Sequence, residues 1–190
     1  MMVKVCGITR REDAIAAAEA GASALGFIFY PKSPRYVTPE KARRLGDGLD
    51  LAKVGVFVDE SPAFIDEVML DARLDVAQVY GKAAVPKNGR LWLAVRVESG
   101  LGAFAGPARE AVLLDGAANG ISFDWQLAKS LGEHEKLIIA GGLNSSNVAH
   151  AIRVAQPWGV DASSSLESSP GIKDHEKMRQ FVKAAQEAAL

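Results

Sequence analysis

Eight short apolar runs recur along the chain, and stretches with helical spacing stand between most of them. The runs fall at residues 3–6, 24–29, 53–58, 75–79, 91–97, 111–115, 137–140 and 158–161. Apolar runs of this length, bounded by turn residues, read as strands buried on both faces. Strands that alternate with helices imply a parallel sheet joined by right-handed crossovers. An open doubly wound sheet and a closed (β/α)8 TIM barrel both satisfy that order, and eight units favour closure. Spread over 190 residues, the average unit has about 24, below the roughly 30 of an ordinary βαβ unit. Some helices must therefore be short. Residues 82–90 contain Pro86 and Gly89, and 101–109 contain Gly102, Gly106 and Pro107. Helices 4 and 5 are accordingly expected to be shortened or missing. No linker or low-complexity stretch divides the chain, so 1–190 is expected to be a single barrel domain.

Helix boundaries carry local signals. Thr9 with Glu12 three residues on makes a capping box, and Gly21 ends that helix. Thr38-Pro39 and Ser61-Pro62 each pair a capping hydroxyl with proline at the first helical position. After Ser61-Pro62, Phe64, Ile65, Val68 and Met69 fall at helical spacing. Asn144 is expected to cap a helix to about Ala155, which Pro157 ends. A last helix from about Asp174 carries Met178, Phe181, Val182 and Ala185 on one face.

Composition narrows the partners. Lys and Arg number 22 against 23 Asp and Glu, so no strong positive field points to nucleic acid. One Cys forms no internal disulfide, and with three scattered His it makes no zinc pattern. No apolar run is long enough for a signal peptide or a membrane span. The reading is a cytoplasmic protein with neither membrane nor nucleic acid as partner.

In such a barrel the chemistry sits at the carboxyl ends of the strands. There the sequence places Cys6, the segment 30–36 (YPKSPRY), Tyr80-Gly81, Asp115, Gly141-Gly142, and Asp161 followed by Ser163, Ser164 and Ser165. With a period of two, Lys4 shares a face with Cys6, Leu113 with Asp115, and Gly159 with Asp161. A carboxylate closing an apolar strand is costly unless paired, so two at one mouth point to function rather than a turn. Cys6 by position alone fits a small core hydrophobe better than a catalytic thiol. Loops after the seventh and eighth strands are the recurrent phosphate site of this fold. Gly141-Gly142 and Ser163-Ser164 fit that role; the plainer alternative is a turn and a cap. Arg10, Arg11, Lys32 and Arg35 lie on the mouth side, either as a solvated rim or to steer an anion.

These stretches together resemble the phosphoribosylanthranilate isomerases of tryptophan biosynthesis. The resemblance rests on KVCGIT, GFIFYPKSPRYVTPE, KVGVFVDE, LLD, FDW, AGGLNSSNV and GVDASSSLESSPGIKDHEKM, which span most of the chain. It implies an Amadori rearrangement of a phosphorylated small molecule, N-(5-phosphoribosyl)anthranilate, without metal or other cofactor. It assigns Cys6 as general base at sugar C2 and Asp115 as general acid toward the ring oxygen. It gives Arg35 the anthranilate carboxylate, places Asp161 in the site, and gives the phosphate to the AGGL and serine segments. A Cys6 thiolate serves as that base provided cationic neighbours lower its pKa, and Lys4, two residues back on the same face, and the iminium of the substrate are the candidates. Burial is expected to raise that of Asp115.

Three positions depart from the family pattern. Tyr80 stands where the family has a site-facing His, so a hydrogen bond survives there but not a ready charge. The loop after Asp115 is short, with Ala117-Ala118 in place of a glycine pair, which bears on closure over substrate. Ser165 replaces a glycine near the phosphate. These departures motivate an alternative: an impaired barrel that only binds phosphorylated ligand or a partner. The related histidine-pathway isomerase fits less well, because it uses Asp at the position of Cys6 and is longer. A monomer and a homodimer are both compatible with the sequence.

Overall fold

A computed structural model describes residues 1–80, 87, 90–97, 109–116, 124–130 and 136–189. Its elements run β1 (Met2–Cys6), α1 (Arg11–Glu19), β2 (Ala24–Ile28), α2 (Pro39–Gly46), β3 (Ala52–Phe57), α3 (Pro62–Asp71), β4 (Val76–Tyr80), β5 (Arg90–Val97) and β6 (Ala111–Gly116). After a 3₁₀ turn at Trp125–Ser130 come β7 (Lys136–Ile139), α4 (Val148–Ala155), β8 (Gly159–Ala162), β9 (Glu167–Ser169), β10 (Ile172–Lys173) and α5 (His175–Glu187). β1 to β8 pair in sequence order, all parallel, and β8 closes on β1 through Lys4 opposite Asp161. The eight strands coincide with the eight apolar runs to within a residue or so at each end. The open sheet is excluded by that last pairing.

Side-chain alternation sorts the core into two layers. Ala24, Val54, Val76, Trp92, Ala94, Leu113 and Ile138 point inward and fill the barrel. Val3, Leu25, Phe27, Val112, Leu114 and Val160 point outward, against Ile65, Val68, Phe181 and Val182 of the helices. Each strand is thus buried on both faces, which is why its sequence reads as a continuous apolar run. On β6 the inward set continues from Leu113 to Asp115, so the alternation that builds the core also aims a carboxyl at the mouth.

The proline-led helices start as expected. Thr38 accepts from the N–H of Lys41, and Ser61 from that of Phe64. Two other boundaries differ. Thr9 does not cap α1; Arg10 holds that position without a side-chain bond, and the Thr9 hydroxyl donates to the Gly171 carbonyl. α4 begins at Val148, later than Asn144 implies, because Asn144 Oδ1 accepts from the N–H of Ser146 and holds a local turn. Phe64 is 41% exposed while Ile65, Val68 and Met69 are buried. The buried face of α3 is therefore one residue narrower than its apolar pattern. No apolar run or helical spacing marks the antiparallel hairpin that β9 and β10 form. The expected weak helices at 82–90 and 101–109, and the loop at 117–123, lie mostly outside the described residues.

Candidate active site

The carboxyl ends of the strands surround a cleft of about 290 Å³, the size range of small-molecule pockets. Cys6, Arg35, Tyr80, Asp115, Gly141, Gly142, Asp161, Ser163 and Ser164 all line it. The structure therefore brings these nine candidates from several strand ends and their loops to one cleft. Of the four basic residues at the mouth, Lys32 and Arg35 reach the cleft. The other two serve the scaffold: Arg10 pairs with Asp13 at 2.7 Å, and Arg11 donates to the Leu45 carbonyl at 2.6 Å. Arg96, also lining the cleft, was missed; it follows Trp92 and Ala94 on the inward face of β5, so alternation would have found it.

Asp161, which lines the cleft, belongs to a buried ion pair. Lys4 Nζ lies 2.9 Å from Asp161 Oδ2, and the lysine side chain is wholly buried. Asp161 Oδ1 is also buried and has no protein partner. Buried ion pairs commonly lose more in desolvation than they return, so stability does not explain this one. Burial opposes the charge on Lys4, but Asp161 and Cys6 outweigh it and hold the ammonium above the ordinary lysine range. Gly26, opposite Cys6 on β2, lets the two side chains converge. A Cβ there would sit 2.7 Å from Cys6 Sγ and 3.1 Å from Lys4 Cε.

Burial pushes the Cys6 thiol up, and the nearby Lys4 charge offsets only part of that. Lys4 alone therefore does not depress the thiol, because desolvation of the thiolate outweighs it. Burial likewise raises the Asp115 carboxyl, against the Tyr80 hydroxyl that donates to its Oδ2 at 2.9 Å. Tyr80 keeps its own proton, since burial and then Asp115 push its pKa well above the usual value. Arg96 sits over the Tyr80 ring, 5.5 Å from its centre. Tyr80 therefore gives Asp115 a hydrogen bond without adding a charge of its own.

On the opposite wall the loops after β7 and β8 are stitched together. Ser165 donates its hydroxyl to the Leu143 carbonyl, and Ser163 donates to the Cys6 carbonyl at 3.0 Å. Asn147 Nδ2 holds the Gly142 carbonyl at 3.0 Å. Among the described residues, no group of three or more His, Cys, Asp or Glu is placed to hold a metal ion, and no helix is long and apolar enough to cross a membrane.

Comparison with known proteins agrees across the whole length. A family model described as N-(5'phosphoribosyl)anthranilate (PRA) isomerase matches residues 3–184. An N-(5'-phosphoribosyl)anthranilate isomerase of Solibacter usitatus is 48% identical over 201 residues, covering 99% of this chain and 98% of that protein. The same enzyme of Geobacter sulfurreducens is 40% identical, covering 96% and 97%. Among solved structures, the isomerase of Thermotoga maritima superposes with a TM-score of 0.86 at 36% identity, covering 98% of this chain and 99% of that one. A phosphoribosyl anthranilate isomerase in complex with reduced 1-(o-carboxyphenylamino)-1-deoxyribulose 5-phosphate matches with a TM-score of 0.84, at 36% identity and 98% and 99% coverage.

Proposed function

The chain belongs to the N-(5'-phosphoribosyl)anthranilate isomerase family, and from that premise we propose that Cys6 and Asp115 carry the proton transfers of its reaction. The reaction is the Amadori rearrangement of N-(5'-phosphoribosyl)anthranilate to 1-(2-carboxyphenylamino)-1-deoxyribulose 5-phosphate. Asp115, as the acid, gives its proton to the furanose ring oxygen as the C1–O bond breaks, leaving an iminium at C1. Cys6, as thiolate, then takes the proton from C2, and the C–H electrons form the enolamine. That enol tautomerises to the ketone. Each step moves one proton, and none is lost overall.

The observation that carries this reading is one cleft lined by a thiol and a carboxyl that burial pushes toward their protonated forms. The productive form, thiolate with carboxylic acid, holds as many protons as thiol with carboxylate. Its share is then set by the gap between the two pKa values and stays level between the two limbs of the pH profile. Lys4 compensates the thiolate charge. Asp161 orients Lys4 and offers Oδ1 to a substrate hydroxyl. Arg35 takes the aromatic carboxylate, and Gly141-Gly142 with Ser163-Ser164 take the phosphate. No cofactor enters the scheme. A barrel reduced to ligand binding is not favoured, because Cys6, Arg35, Asp115 and Asp161 all stand at the cleft.

The chain works in this reading as one barrel unit in the cytoplasm, on a small phosphorylated molecule and without nucleic acid. A monomer or a homodimer serves equally, since every proposed group comes from one chain; one similar Thermotoga maritima protein is described as dimeric. The test is rescue of a tryptophan-requiring strain that lacks this isomerase. The wild-type gene restores growth, and Cys6→Ala and Asp115→Asn do not. Growth on either variant, produced at the wild-type level, overturns the assignment of that residue.

A further inference from the structure

Arg35 does not reach into the cleft as a free side chain. Its Nε and Nη2 each lie 2.7 Å from one carboxylate oxygen of Glu167, a fork-to-fork pair across 132 positions of sequence. The Glu167 side chain is 5% exposed and that of Arg35 17%. Lys173, wholly buried, donates to the same carboxylate at 3.0 Å and to the Ser163 carbonyl at 3.0 Å. Two cations thus share one carboxylate, a formal excess of one positive charge, and burial lowers the Lys173 pKa even though Glu167 supports its ammonium. An excess charge in a dry wall is costly unless a ligand of opposite sign completes it.

The surrounding backbone is built to hold this arrangement still. Gly7 has a positive φ of 75°, and a Cβ there would lie 2.6 Å from Arg35 Cδ and 2.9 Å from Ser163 Oγ, so the arginine stem runs directly over that glycine. The β9–β10 hairpin supplies both partners, Glu167 and Lys173. Its turn packs on the loop that carries the arginine, a Cβ at Gly171 being 3.3 Å from the Pro34 carbonyl oxygen. The hairpin is itself anchored by Thr9 at Gly171 and by Asp13 Oδ2, which accepts from the N–H of Lys173 at 3.2 Å. Lys177 Nζ holds the Glu167 carbonyl at 3.0 Å.

We propose that Glu167, carried on the β9–β10 hairpin and braced by Lys173, is a positioning residue that fixes the Arg35 guanidinium so that its remaining donors receive the planar aromatic carboxylate of the substrate. Five N–H donors in a rigid fork, two of them engaged by Glu167, leave three for the ligand. Pinning the fork removes the rotamer freedom that a long side chain otherwise loses on binding, so the effect appears in affinity for the carboxylate. The excess charge makes the receptor suit one monoanionic group. This inference rests on the reading of Arg35 as the carboxylate receptor.

The test compares wild type, Glu167→Gln, Arg35→Ala and the double variant for KM, kcat, and inhibition by free anthranilate and by inorganic phosphate. Glu167→Gln keeps the shape but loses the charge-assisted fork. It is expected to raise KM and the anthranilate inhibition constant about tenfold, with kcat within about twofold and phosphate inhibition unchanged. The double variant is expected to match Arg35→Ala alone, since Glu167 acts through Arg35. If Glu167→Gln leaves anthranilate binding unchanged while Arg35→Ala weakens it, the positioning role is overturned and the receptor reading stands. If neither change weakens anthranilate binding, the receptor reading itself fails. Equal weakening toward anthranilate and phosphate would make Glu167 merely structural and also overturns the proposal. Should Glu167→Gln not fold, Glu167→Asp, which keeps the charge but shortens the reach, is read by the same criteria.

Discussion

A methyl group at residue 26 would stand 2.7 Å from the Cys6 sulfur and 3.1 Å from Cε of Lys4. Gly26→Ala therefore has to move the thiol, the ammonium or the strand. Overpacking of this kind typically costs about 1–3 kcal/mol, and a thiol displaced by about an ångström loses on the order of 10²-fold in rate. The expected result is a protein that folds, melts some degrees lower, and turns over far more slowly. Unchanged turnover would mean that the thiol needs no such close setting. Tyr80 gives a second single-residue test. Its hydroxyl is the hydrogen bond that favours the ionised Asp115. Tyr80→Phe removes that support, so the Asp115 carboxyl rises further. The acid limb of the kcat/KM profile then moves to higher pH, while Asp115 keeps its proton over a wider range. A limb that stays in place, or moves down, would contradict the coupling. Tyr80 and Asp115 were legible in the sequence because each ends an apolar strand. Their mutual bond was not, because the two residues are 35 positions apart and reach each other across β5, a tertiary contact that no local pattern marks.

The elements show where local signals decide and where tertiary contacts override them. Pro at the first position and a hydroxyl cap located α2 and α3, because both features act within one turn. Thr9 carries the same signal, yet its hydroxyl is taken by the hairpin turn at Gly171, a partner 162 positions away. The hairpin itself is short, polar and only half buried, so neither periodicity nor β-propensity marks it. At the amino ends of β5, β6 and β7, Glu110 binds Arg90 Nη2 at 2.7 Å, Lys136 Nζ at 2.9 Å and Trp92 Nε1 at 3.2 Å. Trp92 packs edge-on against Trp158, closing the bottom of the barrel. The Arg90 guanidinium, and then Lys136 and Trp92, hold the Glu110 carboxyl at about 2, below its ordinary 4.5. A depressed carboxyl contributes stability that is present above its unfolded pKa and is lost as pH falls through the folded one. Glu110→Gln is therefore expected to melt lower near neutral pH, by about 1 kcal/mol for a partly exposed network. The difference should fade between pH 4.5 and about 2. A difference that persists or grows at low pH would contradict the network's role.

Across the whole molecule, one alternation fixes both packing and function. Strands with a period of two, buried on both faces, build an outer layer against helices and an inner layer that ends in chemistry at the mouth. Length and strand count made the barrel legible, and strand ends gave Cys6, Asp115 and Asp161. What stayed hidden was charge pairing. Arg35 with Glu167, and Lys4 with Asp161, join residues from opposite ends of the chain, and no local pattern announces such pairs. Barrel geometry also gathers Lys32, Arg35 and Arg96 around one cleft, so a chain with a net charge of −1 still presents cations to a phosphorylated, carboxylated substrate. The direct test of the central claim is the turnover of purified Cys6→Ala and Asp115→Asn, followed through the fluorescence of anthranilate-bearing substrate at saturating concentration. Each variant is expected to keep the wild-type fold by circular dichroism and to lose at least about 10²–10⁴-fold in kcat, the range for a missing acid or base. Near-normal turnover by either folded variant would contradict the account.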